Sequence, residues 1–484
     1  MQSSSTTIPS ISDPLAQADD AVRLGSLKHA RDLYQSLLAA NTDSLDARIG
    51  LQYVDYIERG RPGRFSHLAP SGSTSLNTDK LRNLQLNQAE FEAGHTFLLS
   101  LPPSLTLEHT TRCNFYCPHC TKGYDIYMAL DLEKDLFNKC LDSLLPYITS
   151  AEITGFGEPT IGRDYLELVD RLSSQGVRID FNTNTSTLTL PHLEMLIRNN
   201  ARIIYSIDGA IRETFEAIRA GGNWDHLQWV LHATHRLRLI LGGESTFSIT
   251  FVAMRRNIAE LPLIVEMAHR FGLDLIMVQD YQPIGRELDQ ESLRFDPVRS
   301  NRIIQEAREL AKRLHIEFVA PPPYQVESST HASEVKDHPA PRKRRRLLPK
   351  WNRFPRRCPH PWHTTRVKVD GEVTPCCFSV RSMGNLKSQA FQGIWNGWRY
   401  RTFRWWIESP LPPPECRICH VYEGINQGNP GNTMQEEGLL ISWAYHMEQV
   451  IFNLWSRISS RWKKPPPPAP LYFKKGKKWS PEEE

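Results

Sequence analysis

Between about residue 103 and residue 320 the chain alternates, six times over, between two kinds of segment. Short runs rich in β-branched residues fall at Leu105 to Thr110, Glu152 to Phe156, Arg178 to Thr183, Arg202 to Ile207, Thr246 to Met254 and Asp274 to Gln279. Between them lie amphipathic stretches such as Asp131 to Ser150, Gly162 to Gln175, Glu213 to Ala220 and Leu261 to Phe271. The first kind reads as strands and the second as helices. Strand–helix units in series predict an α/β fold with a parallel sheet, open or barrel-like, and with its chemistry at the C-terminal ends of the strands.

The flanks differ in character. Residues 1–12 are polar and expected to be disordered, and residues 13–95 carry helical periodicity through Ala30, Tyr34, Leu37 and Leu38, a break at Asn41 to Ser44 and a new run from Leu45. Gly25 and Gly60 lie 35 residues apart, which resembles tetratricopeptide repeats. Two such units are fewer than a free-standing solenoid needs, so a helical cap on the main domain is the competing reading. Residues 321–357 are rich in Pro, Ser, His and Arg, lack an apolar period and read as a linker. Residues 436–463 place Leu440, Trp443, Met447, Ile451, Leu454, Ile458 and Trp462 on one helix face, but His446, Glu448, Gln449, Arg457 and Arg461 make the rest too polar to span a membrane. This helix is expected to dock on the core or to touch a membrane surface or partner. Residues 464–484, a Pro and Lys tail, are expected to be disordered.

Charge narrows the partners. The chain is formally +4, yet Pro341 to Arg357 alone holds nine Lys and Arg with no acid, and Lys463 to Lys478 holds six Lys. The remainder is therefore acidic on balance, and no domain face carries a nucleic-acid footprint. The N-terminus lacks the charged and apolar regions of a secretory signal, so a cytoplasmic, reducing location is expected. Eight of the nine cysteines fall in two groups, and in such a compartment grouped cysteines read as metal ligands before disulfides. The ninth, Cys140, is isolated on a predicted helix and reads as a small buried hydrophobe.

The first group is Cys113, Cys117 and Cys120, directly after the first predicted strand. Three thiolates on one loop hold three irons of a cubane cluster and leave the fourth iron open to a small molecule. Zinc would require a closed tetrahedron. His119 is the only neighbouring fourth ligand, and its adjacency to Cys120 suits chelation of one ion poorly.

Cys-x3-Cys-x2-Cys after the first strand of a β/α series resembles the radical S-adenosylmethionine enzymes, over roughly residues 103–425. The resemblance implies a partial (β/α)6 barrel, and a [4Fe-4S] cluster whose open iron binds the amino and carboxylate groups of S-adenosylmethionine. It further implies an electron donor such as flavodoxin or ferredoxin, whose electron cleaves the bound molecule to a 5′-deoxyadenosyl radical that abstracts a substrate hydrogen. Later residues match family motifs in order. Gly155, Gly157 and Glu158, in Gly-Phe-Gly-Glu-Pro, correspond to the glycine-rich turn that lets backbone carbonyls approach the methionine ammonium. Asn182 and Asn184 correspond to polar side chains at the ribose or substrate. Ser206 and Arg219 correspond to partners of the ribose and the methionine carboxylate, for which a guanidinium offers two parallel hydrogen bonds. His119 stands where an aromatic residue near adenine is often found.

The second group also resembles a known module. Cys358, Gly371, Cys376 and Cys377, with a hairpin predicted around Asp370-Gly371 and with Cys416 and Cys419 downstream, resemble a SPASM domain or its shortened Twitch form over residues 358–425. The resemblance makes Cys358, Cys376, Cys416 and Cys419 ligands of one auxiliary [4Fe-4S] cluster, with Cys377 as the alternative to Cys376. A four-cysteine zinc site is the rival. The expected activity is oxidation or cross-linking of a peptide or protein substrate. A sugar or lipid-linked sugar dehydrogenase and a non-catalytic metal-binding interaction protein are the alternatives. No general base is assignable from the sequence.

Overall fold

The computed structural model describes residues 13–60, 77–120, 129–281, 287–326, 358–379, 381–409, 412–417 and 419. The predicted helix at 436–463, both terminal tails and the basic part of the linker lie outside the described residues. The chain divides into two units, Met1–Ser409 and Pro410–Glu484, and all strands below belong to the first.

The six predicted strands form and pair in parallel in chain order. They are β1 (Ser104–Leu107), β2 (Ser150–Ile153), β3 (Arg178–Thr183), β4 (Arg202–Ser206), β5 (Thr246–Ala253) and β6 (Leu275–Asp280). The sheet then continues on both sides. A short β7 (Glu317–Val319) pairs with β6, and β8 (Thr364–Val367) pairs in parallel with β1. β9 (Glu372–Thr374) and β10 (Gly384–Asn385) follow antiparallel, giving one sheet of ten strands among the described residues. The cysteine-bearing hairpin is thus grafted onto the edge of the barrel at β1. Sequence periodicity does not reveal this, because the pairing joins residues about 260 positions apart and β7 is too short to show a pattern.

Alternation along the strands divides the sheet into two faces. Leu105, Ile153, Ile179, Phe181, Ile203 and Ile249 are fully buried on the apolar face. That face meets the helices, as the bond between Tyr205 Oη and Thr234 Oγ1 (2.6 Å) illustrates. On the other face Thr106, Glu152, Asp180 and Arg202 stand in register. There Thr106 donates to Glu152 at 3.1 Å and Arg202 to Asp180 at 3.1 Å. Burial raises the Glu152 pKa, and the Thr106 hydroxyl and nearby arginines work against it. A polar barrel interior leads to the strand ends where the cysteine loop lies.

The barrel is clothed by α5 (Lys134–Leu144), α6 (Tyr165–Ser174), α7 (Leu190–Arg198), α8 (Arg212–Ile218), α9 (Trp224–Leu241), α10 (Leu261–Arg270) and α11 (Pro297–Arg313). Before it come α1 (Pro14–Arg23), α2 (Leu27–Ala40), α3 (Leu45–Glu58) and α4 (Thr78–Ala93). The helices α1, α2 and α3 form a cap docked on α9. Arg236 of α9 makes a buried ion pair with Asp19, which also accepts a 2.5 Å bond from Tyr34, and Tyr53 donates to Glu194 of α7 at 2.9 Å. Gly50 admits the Tyr34 ring, because a Cβ there would stand 2.3 Å from a ring atom. These contacts dock the segment on the barrel's flank.

Helix α4 buries a polar face. Asn83 brackets Leu101 by donating to its carbonyl and accepting from its amide, both at 2.9 Å, and Glu90 accepts from the Leu99 and Ser100 amides at 2.6 and 3.2 Å. These side chains satisfy the irregular backbone that leads into β1. Buried Arg404, on the helix Trp398–Ile407, ties that segment to two others by donating at 2.9 Å to the carbonyls of Thr96, Pro361 and Trp395. No helix among the described residues is long and apolar enough to cross a membrane.

Candidate active site

The Cys113–Cys120 loop leaves the C-terminal end of β1 and is held by three neighbouring strand ends. The turn after β2 lies against its first residues. Glu158 N donates to the Arg112 carbonyl at 2.7 Å, and a Cβ on Gly157 would stand 2.5 Å from that oxygen and 2.6 Å from Thr110 O. The glycine is required by the approach of the two loops, a reason separate from any ligand. Asn184, after β3, donates to Asn114 Oδ1 at 3.1 Å and to Cys113 Sγ at 3.7 Å. Beyond α8, Ala220 O accepts the Tyr116 amide at 2.8 Å.

Glu158 holds this scaffold together. It is 2% exposed, and its two oxygens accept from Asn184 N (2.6 Å), Thr160 Oγ1 (2.7 Å) and Thr183 Oγ1 (2.9 Å). Burial raises its pKa against these hydrogen bonds. The side chain thus acts by joining the turns after β2 and β3. Thr185, at φ 72°, completes the β3 turn in a left-handed conformation unusual for a β-branched residue. Thr183 Oγ1 accepts its amide at 2.9 Å, and its carbonyl meets His226 Nε2 at 3.1 Å.

Behind the cysteines lies a buried charge cluster that the sequence motif did not reveal. Asp208, fully buried after β4, accepts the Val252 amide through Oδ1 at 2.7 Å. Its other oxygen lies 2.6 Å from Arg219 Nε and 3.4 Å from His119 Nε2. Burial opposes the charge on Arg219, and Asp208 together with Cys117 outweighs it, so its pKa is raised. Burial pushes the Cys117 thiol up to about 11, with Arg219 pulling it down and the neighbouring Cys120 and Cys113 adding to the rise. Cys117 therefore lies within electrostatic reach of the other two sulfurs and of the Arg219 guanidinium. Among the described residues no three His, Cys, Asp or Glu side chains are drawn to metal-ligand spacing.

The loop nonetheless suits an iron–sulfur cluster. Its ligand atoms are soft thiols, and a fixed guanidinium opposes the negative charge that a thiolate cluster carries. A buried thiol with a pKa near 11 becomes a thiolate at neutral pH when a cation takes the proton's place. Of the other predicted residues, Asn182 donates to Thr154 Oγ1 at 3.0 Å, and Ser206 ends β4 in register with Thr250 on the polar face. Gly155 packs on Glu108, whose Cγ would lie 2.4 Å from a Cβ.

The second cysteine group is carried by the β8–β9 hairpin, whose turn residue Gly371 adopts φ 80°. Cys376 accepts the Ser379 amide at 3.3 Å, Thr374 Oγ1 donates to the Cys376 carbonyl at 3.1 Å, and Cys358 lies near enough to act on the Cys376 thiol. Burial pushes that thiol up to about 12, against the Ser379 and Phe378 amides. Cys377 is exposed. A half-buried sulfur that already accepts a backbone N–H bond is held in place for a ligand, which favours Cys376 over the exposed Cys377. Cys416 and Cys419 lie in the second unit, where Cys416 is buried and its amide bonds to Pro413 O at 2.9 Å. Cys140 is fully buried on α5, and burial pushes its thiol up to about 12.

Residues 107–266 match the model of the radical SAM superfamily, and residues 358–420 match that of an iron–sulfur cluster-binding domain, SPASM. The chain thus carries both domains, with the [4Fe-4S] cluster and S-adenosylmethionine of the first and the auxiliary iron–sulfur chemistry of the second. It is 30% identical over 201 residues to the mycofactocin maturase MftC of Mycobacterium tuberculosis, covering 41% of this chain and 49% of that protein. It is 28% identical over 236 residues to the PqqA peptide cyclase of Bradyrhizobium diazoefficiens, covering 46% of this chain and 60% of that one. The chain thus spans 49% and 60% of the length of these two relatives. Streptococcus suis SuiB, solved with S-adenosylmethionine, shares the fold at a TM-score of 0.50 and 14% identity, covering 79% of this chain and 87% of that one.

Proposed function

We propose that this protein is a radical enzyme that oxidises or cross-links a peptide or protein substrate. The observation that carries the reading is the loop of Cys113, Cys117 and Cys120 backed by the Asp208–Arg219 pair at the strand ends. When bound there, the cluster and S-adenosylmethionine supply a 5′-deoxyadenosyl radical for hydrogen abstraction. The three cysteines hold the cluster. Arg219, fixed by Asp208 through Nε, is the cation for the methionine carboxylate, and Ser206, Asn182 and Asn184 line the polar mouth around it. Gly155 and Gly157 let the second turn close on the first, and Glu158 ties that turn to the third.

Cys358, Cys376, Cys416 and Cys419 are the proposed auxiliary ligands. An auxiliary cluster suits a net oxidation, since the substrate radical must give up a second electron. The peptide reading is supported by relatives that are named as a maturase and a peptide cyclase. A shallow groove of about 440 Å³ supports it too, lined by Tyr56 of the cap, Leu188, Pro191, His226 and Trp229. It adjoins the third turn, where His226 bonds the Thr185 carbonyl at 3.1 Å.

The test is anaerobic reconstitution followed by dithionite and S-adenosylmethionine. Formation of 5′-deoxyadenosine that vanishes in Cys117→Ala is expected, and a substrate peptide should leave the reaction lighter by about 2 mass units for each two-hydrogen oxidation. Loaded clusters without cleavage under any reductant would overturn the reading.

A further inference from the structure

The glycine-rich turn and the loop carrying Cys376 come from distant parts of the sequence, and one buried ion pair spans them. Glu108 follows β1, and Arg366 lies on β8, the strand that pairs with β1. Their side chains are 3% and 11% exposed, and Arg366 Nη2 reaches Glu108 Oε1 at 3.3 Å. The same oxygen accepts the Phe156 amide at 3.0 Å, and the Phe156 ring centroid lies 5.9 Å from the guanidinium carbon. On its other side the guanidinium donates through Nη1 to the Cys377 carbonyl at 3.4 Å. A continuous path therefore runs from the turn's amide through a carboxylate and a guanidinium to the carbonyl beside Cys376.

A buried pair of this kind is weak evidence for stability, since apolar residues of equal volume commonly do as well. What an apolar pair lacks is direction. The carboxylate takes a proton donor from one loop while the guanidinium fork gives one to the other, and a lysine cannot reproduce that fork. Backbone strain at Gly155 makes no contribution here; the glycine matters because Glu108 occupies the place of its Cβ.

We propose that Glu108 and Arg366 are positioning residues that fix the Cys376–Cys377 loop against the glycine-rich turn. They thereby set where the auxiliary centre stands relative to the radical centre. The functional half of this inference rests on the proposed reading of both loops as cofactor-bearing, and the mechanical half rests on the hydrogen bonds alone.

The experiment is hydrogen–deuterium exchange of the anaerobically reconstituted full chain, comparing the wild type with R366K, E108Q and the double variant. Exchange across residues 374–379 is expected to rise about tenfold in R366K, as for loss of one modest hydrogen bond. It should rise similarly in E108Q and no further in the double variant, while residues 104–107 and 364–367 stay protected. Unchanged exchange at 374–379 in R366K would overturn the proposal. So would faster exchange spread over the whole sheet, or additive effects in the double variant. Deoxyadenosine formation is read on the same samples. Its absence from the wild type would end the radical reading while leaving the exchange result to decide the positioning.

Discussion

The two cysteine centres are held in different ways. The Cys113–Cys120 loop is supported by side chains and turns from other strand ends, Glu158, Asn184, Asp208 and Arg219 among them, and charges are buried directly behind it. The Cys376 loop is supported mainly by its own hairpin, through the Ser379 amide, the Thr374 hydroxyl and the left-handed Gly371. A centre assembled from many strands is sensitive to distant substitutions and suits chemistry in which a reactive species must be aimed. A loop held mostly by its own hairpin is less sensitive to distant substitutions and suits a centre that stores or transfers an electron.

Removing one ligand from each centre should separate their roles. Cys117→Ala is expected to abolish 5′-deoxyadenosine formation, whereas Cys376→Ala should leave it measurable while lowering the iron content; equal losses in both would merge the two roles.

Next in size is a pH effect to which the first scaffold contributes through one buried histidine. His109 meets the Pro159 carbonyl through Nε2 at 3.0 Å, and burial lowers its pKa from 6.5 to about 4. The folded state keeps it neutral while the unfolded chain gains a proton. Its contribution to stability is therefore fully present above pH 6.5 and is lost as pH falls toward 4. The loss is about 3 kcal/mol from a shift of that size. Urea unfolding between pH 7.5 and 4.5 should show a slope in the wild type that becomes shallower in His109→Gln, the remainder coming from His192, His226, His360 and His363, whose pKa values burial also lowers.

Asp208→Asn sharpens the contrast further. It keeps an acceptor for Val252 N but removes the charge facing Arg219 and His119. Affinity for S-adenosylmethionine, read by calorimetry on the loaded enzyme, should fall about 10–100-fold, as for loss of an orienting partner. The iron bound by the second centre should not change. The smallest expected effect lies at that second centre. Tyr400 Oη meets Thr365 Oγ1 at 3.1 Å and donates to Thr374 O at 3.3 Å. Tyr400→Phe should cost about 1 kcal/mol in chemical denaturation and leave deoxyadenosine formation intact.

Much of this architecture is legible in the sequence where it is local. Strand–helix alternation marks six of the parallel strands in order, and the Asp370-Gly371 turn marks the hairpin. Long-range features are not. The pairing of β8 with β1 and the short β7 carry no periodic signal, and the buried face of α4 reads as solvated because Lys80, Asn83, Asn87 and Glu90 are polar. At the site, the motif marked Arg219 but not the use of its Nε edge by Asp208. Glu108 and Arg366 sit in no motif at all, since their partnership exists only once β8 joins the sheet.

The two cysteine groups are proposed to form two separate iron–sulfur centres, only one of which reacts with S-adenosylmethionine. Electron paramagnetic resonance of the dithionite-reduced, reconstituted protein, with and without S-adenosylmethionine, tests it most directly. Two cluster signals are expected, one shifted by S-adenosylmethionine and absent from a Cys113→Ala, Cys117→Ala, Cys120→Ala triple variant, the other unmoved. A single signal, or one that survives in that variant and still shifts, would contradict the claim.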